Sequence, residues 1–105
     1  MADKKILKKL KKFKGLLQKA GVPVYKLILF GSQARDTARP DSDIDVCVIS
    51  PALGKDRLKE RLFLAQQAHT IDPRIEVVGY SKKDFMHNRV SPLLHQIRLE
   101  SVVVE

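Results

Sequence analysis

Cysteine occurs once, at Cys47. A lone thiol excludes an internal disulfide framework and a cysteine-based zinc site. No apolar run approaches the roughly 20 residues of a membrane span. The first residues lack the apolar core of a secretory signal, because lysines interrupt them every few positions. Internal repeats, linkers and low-complexity tracts are also missing. What remains is a soluble, cytoplasmic protein without membrane association as the expectation. At 105 residues, one domain spanning 1–105 with a modest core is expected.

Net positive charge is scarce outside one segment. Residues 1–20 hold eight lysines against one aspartate, +7 of the chain's net +8. The rest is close to neutral, so direct nucleic-acid binding by the domain as a whole is not expected. The basic segment reads as an amphipathic helix over residues 4–20. Ile6, Leu10, Phe13 and Leu17 recur at spacings of four, three and four, and lysines fill the other face. Gly21 and Pro23 end it. The bland reading of the lysines is a solvated outer face. The alternative is a docking surface for an acidic partner or a phosphate backbone.

Residues 24–105 follow as a core with β-α-β-α-β character after one initial strand. Val24 to Phe30 is nearly continuously apolar and rich in β-formers, the pattern of a central strand. A short helix is expected over roughly Gln33 to Thr37, with Ser32 at its start. Arg39-Pro40-Asp41-Ser42 is loop chemistry, and Ile44 to Ile49 a second strand. Lys55 to His69 forms a second amphipathic helix, with Leu58, Leu62, Ala65 and His69 as its stripe and Leu64 and Ala68 beside it. Ile75 to Tyr80 is a third strand. Ser81 to Asp84 has the form of a capping box. Pro92 opens a last helix to about Leu99, and Val102 to Val104 is a fourth strand. The order α-β-β-α-β-α-β implies an α/β (α+β) fold, a small mixed sheet of about four strands flanked by helices.

The chemistry concentrates between the first two strands. Strand side chains alternate faces, so Asp43 and Asp45 are neighbours on one face, with Ile44 and Val46 on the other. Two carboxylates that close repel unless a cation sits between them or one is protonated. A hard cation such as Mg²⁺ takes oxygen ligands, typically one or two carboxylates plus substrate phosphates. Gly31-Ser32 supplies the phosphate half. Glycine permits close backbone approach, a helix start favours an anion, and Arg35 one turn on offers a planar fork. A phosphate cradle beside a carboxylate pair points to phosphoryl or nucleotidyl transfer. Two-metal versions of that chemistry use a third carboxylate. Glu76, isolated among apolar neighbours early in the third strand, is the candidate; an edge-strand glutamate facing water is the alternative. Cys47 reads as a small core residue. His69, His87 and His95 share no spacing and read as surface or helix-face residues. Tyr25 and Tyr80 read as core or sheet packing.

The stretch "GSQARDTARPDSDID" resembles the signature of the minimal nucleotidyltransferases, small members of the DNA polymerase beta-like superfamily. Ten residues separate Ser32 from Asp43, as in that family's Gly-Ser, ten residues, Asp-x-Asp pattern. "PRIEVVGYSKKDF" resembles the segment bearing the family's third carboxylate, which places Glu76 there, and "SPLLHQIRLESVVVE" resembles the family's C-terminus. The resemblance implies a nucleotidyltransferase fold. It implies that Asp43, Asp45 and Glu76 bind two Mg²⁺ ions, and that Gly31, Ser32 and Arg35 hold a nucleoside triphosphate. An acceptor hydroxyl would attack the α-phosphorus and expel pyrophosphate, with Glu76 able to take its proton. Many family members resemble antitoxins paired with a helical HEPN-type partner, onto which some move AMP from ATP. The chain departs from the pattern at Asp36, where the family often has Gly, and at Glu76, where it often has Asp.

Two functions are therefore expected to compete. One is a Mg²⁺-dependent nucleotidyltransferase acting on a hydroxyl of a partner protein as an antitoxin. The other is a non-catalytic antitoxin or adaptor that neutralises a HEPN-type partner by occupancy. With few residues left to clamp base or acceptor, a partner chain or a homo-oligomer is expected to complete the site.

Overall fold

In the computed structural model the described residues are 3–35, 39, 41–87, 91–99 and 101–104. The chain begins with α1, Lys4–Lys19. The Asp3 carboxylate caps it by accepting the Lys5 N–H at 2.7 Å, which satisfies one of the orphan donors of a first turn. Its end is a Schellman motif. The Val22 N–H donates to the Leu17 carbonyl at 2.9 Å and the Gly21 N–H to the Gln18 carbonyl at 3.1 Å. Gly21 adopts the left-handed conformation this requires, φ 88°, which explains the stop expected there.

Strand β1 is Lys26–Phe30 and β2 is Ile44–Ile49. Helix α2, Arg57–His69, leads to β3, Ile75–Tyr80. Helices α3, Lys82–His87, and α4, Pro92–Leu99, precede β4, Val102–Val104. The sheet order is β3-β2-β1-β4. β1 lies antiparallel to β2 and β4, whereas β2 and β3 are parallel. This is the mixed four-stranded α+β architecture expected, with β1 and β2 central because they are apolar on both faces.

The two sheet faces carry separate cores. Ile6, Leu10, Phe13 and Leu17 of α1, with Leu64 and Ala68 of α2, pack on Leu27, Leu29, Ile44, Val46, Val48, Ile75, Val77 and Val104. On the opposite face Ile28, Phe30, Cys47 and Ile49 meet Leu94 and Ile97 of α4. Burial pushes the Cys47 thiol up to about 12, as suits an inert core residue.

Three local expectations are corrected. Helix α2 starts at Arg57 because the Asp56 side chain accepts the Lys59 N–H. Its phase also differs: Leu64 is 1 % exposed, whereas Leu58 and Leu62 of the expected stripe are 68 % and 58 % exposed. Both stripes have helical spacing, and packing against β3 selects the second. Tyr25 is 43 % exposed, with the Lys82 ammonium 4.3 Å from its ring centroid. It is thus a cation–π platform and not a packed core residue. Tyr80, as expected, packs against the second core.

Asp72, 6 % exposed, ties α1 to the start of β3. It accepts from Lys9 Nζ at 2.8 Å, Arg74 Nη2 at 2.8 Å, Arg74 Nε at 3.1 Å and the Arg74 N–H at 2.9 Å. The Arg74 carbonyl accepts the Ile44 N–H at 2.9 Å, so the clamp helps to set the register of β2 on β3. These bonds, the Arg74 side chain first, hold the Asp72 carboxyl well below its ordinary 3.8. Its stabilisation is present above pH 3.8 and is lost as pH falls below that value. Asp72→Asn is expected to destabilise the fold by about 1–3 kcal/mol at pH 7, and by progressively less on acidification. Denaturant unfolding of both proteins from pH 7 to pH 3 measures it; a pH-independent difference would exclude the clamp.

Candidate active site

The turn after β1 is a single 3₁₀ turn, Gly31–Gln33. Its Gly31 carbonyl accepts from the N–H groups of both Ala34 and Arg35, at 3.2 and 3.3 Å. The helix expected from Gln33 therefore begins two residues early, and Ser32 lies within the turn and not at its cap. A turn this short has little dipole to offer an anion. The rest of the expected helix, with Asp36 and Thr37, lies outside the described residues.

Gly31 has φ 72°, a conformation that disfavours any side chain. A Cβ built there would overlap Asp45 Oδ2 and lie 3.2 Å from Asp45 Cγ. Thus the turn backbone is pressed against the carboxylate that the sequence places fourteen residues later in the second strand.

Sheet register brings the acids together. Asp45 stands opposite Phe30 on β1 and opposite Glu76 on β3. Because side chains alternate, Asp45 and Glu76 share the face of Cys47 and Ile49. Asp43 precedes β2 by one residue and is exposed. It follows a small closed loop in which the Arg39 N–H donates to Ser42 Oγ at 2.8 Å and the Ser42 N–H returns to the Arg39 carbonyl at 3.0 Å. Burial raises the Asp45 carboxyl above 3.8, the Glu76 and Asp43 charges raise it further, and Arg35 opposes them. Glu76, Asp43 and Arg35 thus all lie close enough to act on Asp45. Glu76 lies on an edge strand and is exposed, as an ordinary surface glutamate would be; its place opposite Asp45 is what sets it apart.

Among the described residues no group of three or more His, Cys, Asp or Glu is drawn together tightly enough to hold a metal alone. The donor set nevertheless suits a hard divalent cation. It consists of carboxylate oxygens without thiol or imidazole, and Asp43 and Glu76 are exposed to solvent. The like-charge cost on Asp45 is one a bound cation would remove.

The burial of one turn residue escaped pattern reading, whereas the loop before Asp43 did not. Gln33, the last residue of the turn, is buried at 7 % exposure, and a glutamine in a polar run gives no warning of burial. Ser42 closes the loop before Asp43, for which Pro-Asp-Ser was the available signal. No helix among the described residues is long and apolar enough to cross a membrane.

The family model described as the nucleotidyltransferase domain matches residues 4–102. Comparison with curated protein sequences gives no match. Among solved structures, a chain of a toxin–antitoxin complex crystallised with AMP-PNP is 25 % identical. It superposes with a TM-score of 0.65 over 94 % of this chain and 72 % of its own. A protein from Sulfolobus solfataricus assigned as a nucleotidyltransferase has the same fold. Its TM-score is 0.65 at 15 % identity, covering 94 % of this chain and 78 % of that one. A chain of the complex between tri-AMPylated Shewanella oneidensis HEPN toxin and its MNT antitoxin is similar in fold. There the TM-score is 0.54 at 20 % identity, covering 92 % and 71 %.

Proposed function

The chain belongs to the nucleotidyltransferase domain family, and from that premise we propose that it moves AMP from ATP to a hydroxyl of a helical HEPN-type toxin that it serves as antitoxin. The observation that carries the reading is the pairing of Asp45 with Glu76 across the sheet, with Asp43 beside them and the Gly31 backbone against Asp45. Support for the partner comes from the toxin–antitoxin complex that this chain resembles at 25 % identity.

Asp43, Asp45 and Glu76 would hold Mg²⁺, one or two ions, which when bound neutralise charge on the triphosphate and on the attacking oxygen. Gly31, where any side chain would meet Asp45, keeps the turn that carries Ser32 against that carboxylate. Ser32 and Arg35 supply polar and cationic contacts to the triphosphate. Glu76, exposed at the strand edge, takes the proton of the acceptor hydroxyl as that oxygen attacks the α-phosphorus and pyrophosphate leaves. The protein's contribution is positioning and electrostatic stabilisation, as phosphoryl chemistry requires.

The test is transfer of label from α-³²P-ATP to the cognate toxin, with Mg²⁺ and with EDTA. Mg²⁺-dependent labelling of the toxin, lost in Glu76→Gln with toxin binding retained, is the expected result. A toxin neutralised without any label would leave occupancy as the mode of action and remove the catalytic reading.

A further inference from the structure

The outer face of α1 is unlike any other surface of the molecule. At 100° per residue, Lys4, Lys5, Lys8, Lys11, Lys12 and Lys19 fall within an arc of about 120°. All six are exposed. The arc is centred almost opposite the buried stripe of Ile6, Leu10, Phe13 and Leu17. Only Lys9, at its margin, is engaged, with Asp72. Among the described residues none of the six makes an ion pair. The arrangement opposes local stability twice over: the first turn holds lysines and no acid, against the helix dipole, and like charges stand at i and i+4. Solubility alone would be served equally well by mixed charges.

We infer that this stripe is a docking surface for the phosphate backbone of double-stranded nucleic acid, bound without regard to base sequence. The stripe runs about 22 Å at 1.5 Å per residue. Over that length a duplex presents about 13 phosphates, roughly half of them toward one side, which matches six ammonium groups. The residue types argue against other occupants. A protein interface core is rich in aromatics, Met and Arg and poor in Lys. A membrane-surface helix needs a free apolar face, and that of α1 is spent on the core. The arc holds no aromatic side chain to stack on unpaired bases. It offers only ammonium groups, so DNA and RNA duplexes are equivalent to it. The neutrality of the rest of the chain confines binding to this one face.

The test is fluorescence anisotropy of the full-length protein with a 24-base-pair DNA duplex and its RNA counterpart, from 50 to 200 mM salt. Six contacts predict a log–log salt slope near −5 and an affinity loss of about 10³-fold across that range. Lys8→Gln/Lys11→Gln/Lys12→Gln/Lys19→Gln is expected to bring the slope to about −2, each lost contact removing about 0.9. Glutamine matches lysine in helix propensity, so the fold is retained, and circular dichroism checks it. A variant of equal net charge, Lys55→Gln/Lys59→Gln/Lys82→Gln/Lys83→Gln, is expected to bind like the parent. Equal loss in both variants would assign binding to net charge and overturn the proposal. A polyglutamate peptide competing as well as the duplex would overturn it in favour of an acidic protein partner.

Discussion

Asp45→Asn is expected to reduce nucleotidyl transfer by at least about 10²–10³-fold, while leaving the metal-free protein as stable as the parent or more so. The two halves of this result have one cause. Asp45 sits half-buried between Asp43 and Glu76, and its charge is disfavoured by burial and by both neighbours. An amide of the same shape removes that repulsion without leaving a cavity, so the fold loses nothing. It also removes the charge that a cation between turn and sheet would need. Thermal unfolding in EDTA and in Mg²⁺, beside the transfer assay, separates the effects. The parent should gain stability from Mg²⁺ and Asp45→Asn should gain little. A variant clearly less stable than the parent in EDTA would mean that the carboxylate serves the fold, and the site would have to be sought elsewhere.

Gly31→Ala is expected to cost almost as much activity, together with stability, for a different reason. An L-residue at φ 72° pays roughly 1–2 kcal/mol for the left-handed conformation. The added methyl would occupy the space of Asp45 Oδ2. Turn and carboxylate cannot both stay, and a displacement of about 1 Å in such a site is worth on the order of 10²-fold in rate. The two causes separate in a double-mutant cycle. In an Asp45→Ala background the clash disappears and only the backbone cost remains, so Gly31→Ala should destabilise less there than in the parent. Strict additivity between the two positions would show that they do not touch.

These residues also mark the boundary between what pattern reveals and what it does not. Gly31, Asp43 and Asp45 were legible because they punctuate two apolar runs at a fixed spacing. Glu76 was visible in the pattern as a lone charge in a strand, and the family resemblance of its segment placed it as the third carboxylate. No periodicity says that β3 pairs parallel to β2, nor that position 76 falls opposite 45 and not opposite 43 or 47. The Asp72 clamp that supports this register joins residues 63 apart in sequence, and nothing local announces it.

Local chemistry alone therefore determined the elements: the Schellman stop at Gly21, the strands Ile44–Ile49 and Ile75–Tyr80, and the helix opening at Pro92. Each follows from neighbours within a few residues, where capping, φ restriction and side-chain period act. The tertiary structure decided which stripe of α2 is buried, where the turn after β1 begins, and which carboxylates meet. Those choices depend on burial against distant strands, and the hydrophobic free energy of packing outweighs the small local differences between one helical face, or one turn register, and the next.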